Sequence, residues 1–140
     1  MKLIIYTDGA SRGNPGPSSY GFTITDETGQ IIHEEGEYIG ITTNNVAEYT
    51  GYLSALKKVK EKFAELGLIE IDHFADSRLV VEQLSGRFKV KSPHLREIIS
   101  EIRILERDLG QIIHKHIFRE KNTLADRLAN IALDSKNFKK

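Results

Sequence analysis

With 140 residues the chain has the length of one domain and can bury a core without covalent staples. It has no cysteine, which excludes a disulfide framework and a thiolate metal site. Its 20 basic residues balance its 20 acidic ones, which argues against coating nucleic acid by bulk positive charge but not against local recognition.

The opening Met1-Lys2-Leu3-Ile4-Ile5-Tyr6-Thr7-Asp8 meets a charge too early for a signal peptide, and no later apolar run reaches membrane-spanning length. The expectation is a soluble cytoplasmic protein with no membrane contact and no evident obligate protein partner. Leu3, Ile4 and Ile5 read as a strand buried on both faces and ending on Asp8. Gly9, Gly13, Asn14, Pro15 and Gly16 turn the chain soon afterwards. Tyr20, Phe22 and Ile24 alternate with Gly21, Thr23 and Thr25 as a strand with one buried face. Residues Ile31 to Ile39 give a third strand, with Gly36 as a bulge.

A long helix is predicted from Asn44, capped from the Thr42-Thr43-Asn44-Asn45 run, with Val46, Tyr49, Leu53, Leu56, Phe63 and Leu66 at helical spacing and Gly67 as its stop. Leu68 to Phe74 reads as a short strand. Asp76-Ser77 then caps a brief helix that carries Leu79, Val80 and Leu84. An exposed basic connector follows, Arg87-Phe88-Lys89-Val90-Lys91. Ser92-Pro93 opens an amphipathic helix with Leu95, Ile98, Ile99, Ile102, Leu105 and Leu109 on its apolar face. Ile112 to Phe118 is the last strand, and Asn122 caps a final helix with Leu124, Ala125, Leu128, Ala129 and Ala132 on one face. The Lys139-Lys140 end is expected to fray.

Strands alternating with helices imply right-handed crossovers, so the C-terminal ends of the parallel strands share one edge. Four acids fall near that edge: Asp8, Glu48 in the first turn of the long helix, Asp76, and Asp126 in the first turn of the last helix. Any one of them has a structural explanation, as a turn, a cap or a partner of the helix dipole. Gathered together, they repel one another unless a cation is present, and their hard oxygens suit magnesium. Two such ions can clamp the attacking and leaving oxygens of a phosphoryl displacement.

Four blocks carry a resemblance to the type 1 ribonuclease H family, in that family's order. They are Asp8-Gly9-Ala10-Ser11-Arg12-Gly13-Asn14-Pro15-Gly16, Thr43-Asn44-Asn45-Val46-Ala47-Glu48, Ala75-Asp76-Ser77-Arg78-Leu79-Val80, and Arg119 through Ala129. The resemblance implies a single ribonuclease H domain over residues 1–140. Its α/β fold would have a five-stranded mixed sheet, three antiparallel strands with two added in parallel, and helices on both faces. It also implies hydrolysis of the RNA strand of RNA–DNA hybrids to 3′-hydroxyl and 5′-phosphate ends, with double-stranded RNA open as a second substrate. Asp8, Glu48, Asp76 and Asp126 would hold two magnesium ions, or manganese. Ser11, Arg12, Gly13, Asn14, Thr43, Asn44 and Asn45 would contact the hybrid.

The chain departs from the family pattern in two places. Phe118-Arg119-Glu120-Lys121-Asn122 leaves no room for the loop histidine many members carry, and His114 and His116 fall on the strand itself. The basic protrusion that some members insert is reduced to the short 87–91 connector.

Overall fold

A computed structural model describes residues 1–63, 65 and 67–138, and side chains as far as Ser135. Leu66, expected on the long helix, and Lys139 and Lys140 lie outside the described residues. The elements are β1 (Lys2–Ser11), β2 (Gly16–Asp26), β3 (Ile31–Thr42), α1 (Asn44–Phe63), β4 (Ile69–Ala75), α2 (Arg78–Leu84), α3 (Pro93–Leu109), β5 (Gly110–His116) and α4 (Thr123–Phe138). A 3₁₀ turn, Arg119–Lys121, leads into α4.

The sheet has five strands in the order β3-β2-β1-β4-β5. β1 pairs antiparallel with β2, and β2 with β3, whereas β4 and β5 add in parallel on the other side. The sequence-based order and the mixed sheet both hold. One face packs on α1 and α3 around Phe22, Ile5, Tyr52, Leu56, Ile71 and Ile102, all fully buried. The other face carries α4, which buries Ala125, Ala129 and Leu133.

The position of α4 explains two departures from expectation. β2 is buried on both faces rather than one, because Ser19, Gly21 and Thr23 lie under α4. Gly36 is not a bulge: it pairs directly with Gly21, and the register shifts fall at Ser18/Ser19 and Ile24/Thr25. A Cβ at Gly21 would stand 2.3 Å from the Ala125 carbonyl oxygen, and one at Gly36 would stand 2.4 Å from that of Leu128. The paired glycines therefore let a helix backbone lie against the sheet.

Smaller differences have local causes. β4 starts at Ile69 and leaves Leu68 exposed, and β5 spans 110–116, so Phe118 projects outward. In α2 the buried set is Val80, Val81 and Leu84, while Leu79 faces solvent. The Ser77 and Ser92 caps form as expected, the hydroxyls accepting from the Val80 and Leu95 amides. Thr43 caps α1, its Oγ1 accepting from Val46 N.

A buried polar chain crosses the core from β1 to α3. Thr7 Oγ1 meets His73 Nε2 at 2.8 Å, His73 Nδ1 meets His114 Nδ1 at 2.9 Å, and His114 Nε2 meets Glu106 Oε2 at 2.9 Å. Tyr52 and Arg103 also donate to the Glu106 carboxylate. His114 is thus a satisfied interior histidine.

Candidate active site

β1 and β4 stop pairing at Thr7–Ala75, so the next residue on each strand, Asp8 and Asp76, leaves the sheet at the same point. Asp8 does not end β1, because pairing with β2 continues through Ser11. The strand is stiffened on one side and open on the other, which projects the carboxylate at the edge of the core. Glu48 reaches the same place from α1, one turn later than expected: no acid lies in the first turn of that helix. A Cβ at Gly9 would come within 2.7 Å of the Glu48 amide nitrogen. Glycine is what allows β1 and α1 to touch there.

Among the described residues, oxygens of Asp8, Glu48 and Asp76 lie within 4.8 Å of one another. Asp126, in the first turn of α4 as predicted, stands outside that tight group but lines the same cleft of about 530 Å³. Gly9, Ala10, Ser11, Asn44, Arg119 and Asn130 line it together with the four acids.

The acids are buried and crowded. Asp8 is 5 % exposed and Glu48 is 3 % exposed. Burial first, then the charges of Glu48, Asp76 and Asp126, pushes the Asp8 carboxyl up to about 9. Burial and then Asp76 push Glu48 up to about 8, with the Gly9 N–H acting the other way. Glu48 Oε2 is buried without a hydrogen-bond partner. An orphaned carboxylate oxygen among like charges is what a divalent cation corrects, and an all-carboxylate set suits magnesium or manganese.

The residues expected to contact substrate divide into two groups. Ser11 and Asn44 line the cleft. Arg12, Gly13 and Asn14 lie on the exposed β1–β2 loop, where the Asn14–Pro15 peptide is cis. Asn14 Oδ1 accepts from Asn44 N at 3.1 Å, which ties the loop to the start of α1. Arg12 pairs with Asp134 of α4. Thr43 serves as a cap, and Asn45 is not among the cleft-lining residues.

The Reverse transcriptase-like family model matches residues 6–132. The bifunctional protein Rv2228c of Mycobacterium tuberculosis is 43% identical over 136 residues, covering 96% of this chain and 36% of that protein. Ribonuclease HI of Halobacterium salinarum is 41% identical over 129 residues, covering 92% of this chain and 63% of that protein. The chain thus spans between about a third and two thirds of these relatives. Among solved structures, LC11-RNase H1 in complex with an RNA/DNA hybrid superposes with a TM-score of 0.93 at 43% identity, covering 96% of this chain and 99% of that one.

The chain belongs to the type 1 ribonuclease H family. Its five-stranded mixed sheet with four α-helices is the ribonuclease H fold. The family's usual loop before the last acid is here the 3₁₀ turn, and Arg119 from that turn enters the cleft. Sequence reasoning missed two asparagines beside the clustered acids. Asn130 donates to both the Asp126 carbonyl and its Oδ1, and the signal was available as an amide one turn after the acid. Asn122 does not cap α4 with its side chain but bonds Thr7 O and Asp76 Oδ2.

Proposed function

We propose that the protein is a metal-dependent endoribonuclease that cuts the RNA strand of RNA–DNA hybrids. The observation that carries this reading is the convergence of Asp8, Glu48 and Asp76 within 4.8 Å from three separate elements. Clustered negative charge at a polyanion-binding surface is a cost to a protein that only binds, and it becomes useful when cations occupy it. Two magnesium ions, or manganese, held there would supply Lewis acidity to a phosphodiester, the chemistry of hydrolysis to 3′-hydroxyl and 5′-phosphate ends.

The protein's own groups do the rest. Asp8, Glu48, Asp76 and Asp126 hold the cations, and Asn130 orients the Asp126 carboxylate. Asn44 and Ser11, which line the cleft, face the hybrid's minor groove, and Arg12, Gly13, Asn14, Thr43 and Asn45 extend the contact from the β1–β2 loop and the start of α1. Glu48 accepts from a 2′-hydroxyl, and such a contact is what distinguishes RNA from DNA at the cut. Arg119, which lines the cleft, brings a fixed positive charge to a phosphate of the hybrid. The Arg87 to Lys91 connector adds salt-sensitive grip on the backbone.

Incubation with labelled hybrid, double-stranded RNA, double-stranded DNA and ATP, each with magnesium or manganese, tests the proposal. Cleavage confined to the RNA strand of the hybrid is expected, with double-stranded RNA at most a slow second substrate. Binding of hybrid without cleavage, or ATP hydrolysis in its place, would overturn it.

A further inference from the structure

Asn122 joins the last 3₁₀ turn to α4 and is 1 % exposed. Its Nδ2 donates to the Thr7 carbonyl at 2.8 Å and to Asp76 Oδ2 at 3.2 Å. A primary amide nitrogen has two hydrogens, and these two acceptors use both. Neither acceptor can donate in return while Asp76 is ionised, so the amide has one tolerable orientation. Turning it over would set Oδ1 against a carbonyl and a carboxylate. The fold holds that orientation although it leaves Oδ1 buried with no partner.

The main chain of the same residue completes the junction. Asn122 N donates to Arg119 O at 3.0 Å, and Asp126 N donates to Asn122 O at 3.2 Å. One residue therefore touches the strand position before Asp8, the Asp76 carboxylate itself, and the helical turn that carries Asp126. A helix cap requires none of the first two contacts, and a core-filling residue would not present an amide.

We propose that Asn122 is a positioning residue for the divalent cations, acting through Asp76 and through the spacing between β1 and α4. The inference rests on the proposed function. Occupying one lone pair of Asp76 Oδ2 fixes the plane of that carboxylate before any cation arrives. Without the amide that plane is no longer set before the cation arrives, among acids that repel the carboxylate. Groups that hydrogen-bond metal ligands in this way typically set metal affinity by about 10–100-fold.

The test compares wild type, Asn122→Ala, Asp76→Asn and the double variant. Manganese binding without substrate is followed by the paramagnetic signal of the free ion, and hybrid cleavage is followed against magnesium concentration. Asn122→Ala is expected to weaken manganese binding by about 10–100-fold and to raise the magnesium concentration for half-maximal rate by a similar factor. Its rate at saturating magnesium should return to within a few-fold of wild type, with the KM for hybrid unchanged. In the Asp76→Asn background the same change should add little to the loss. A purely structural role would lower the melting temperature and leave manganese affinity of the folded protein unmoved, and that result would overturn the proposal. Asn122→Ser keeps a short polar group and gives the same comparison if the alanine variant is too unstable to purify. Wild type that neither binds manganese nor cuts hybrid would instead remove the proposed function, independently of the Asn122 variants.

Discussion

Asp8→Asn should stabilise the metal-free protein, and its advantage should grow with pH. In the folded state burial and three neighbouring acids raise the Asp8 carboxyl from an ordinary value of 3.8 to about 9. Between those limits the folded chain binds a proton that the unfolded chain does not. Stability from this group is therefore complete below the unfolded value and is lost as pH rises toward the folded one. One such proton is worth ~1.4 kcal/mol per pH unit, so the wild type loses a few kcal/mol, on the order of 3, between pH 5 and pH 7 from this source. Asparagine has no proton to lose. Glu48 titrates in both proteins, and its shift arises first from burial and then from Asp76, so Asp8 supplies most of the difference, with a smaller part from the Asp8 hydrogen bond that Glu48 loses. Urea denaturation of both proteins in EDTA at pH 5, 6 and 7 measures it. Saturating magnesium should shrink the gap, since a cation favours the ionised wild-type cluster. An advantage that stays flat across this range, or a variant less stable than wild type at pH 7, would refute the reasoning.

Gly21→Ala should destabilise by at least ~1–3 kcal/mol and depress cleavage further still, because the new Cβ meets the backbone of the helix that carries Asp126; an unchanged urea midpoint would contradict this. His73 is held well below its ordinary pKa by burial and by His114, so the unfolded chain binds the extra proton and stability should fall as pH drops below about 6.5. Its ring resonances should accordingly show no titration down to pH 5, and a midpoint near 6.5 would count against the buried chain. Glu106→Gln should cost ~1–3 kcal/mol, because the amide removes the charge and keeps one acceptor oxygen for the Arg103, His114 and Tyr52 donors, measured by thermal melting against a solvent-facing control such as Glu61→Gln. A hybrid with 2′-deoxy residues at a mapped cut should resist cleavage there, and continued cutting would count against the contact assigned to Glu48.

Much of this molecule was readable because its signals are local. Alternation in β2, the helical spacing of Ile98, Ile102 and Leu109, and the Ser77 and Ser92 caps all lie within a few residues of the positions they govern. That Asp8, Glu48, Asp76 and Asp126 would come to one cleft was legible through four motifs and the rule that parallel strands share an edge. What escaped depends on partners distant in the chain. Gly36 resembled a bulge because its reason for lacking a side chain is a helix more than ninety residues later. Asn122 read as a cap because nothing nearby shows that its amide reaches β1 and Asp76. The apolar run of β4 concealed a buried histidine whose partner, Thr7, is 66 positions away. Glu48 was placed one turn early because acids are common at helix starts, whereas here it follows the close approach at Gly9.

Anomalous diffraction at the manganese absorption edge, from crystals soaked in manganese, tests directly whether this constellation holds divalent cations. The account predicts density inside the cleft, bounded by carboxylate oxygens of Asp8, Glu48, Asp76 and Asp126. Saturating manganese that leaves the cleft empty and labels only surface acids, such as Glu34 or Glu37, would contradict it.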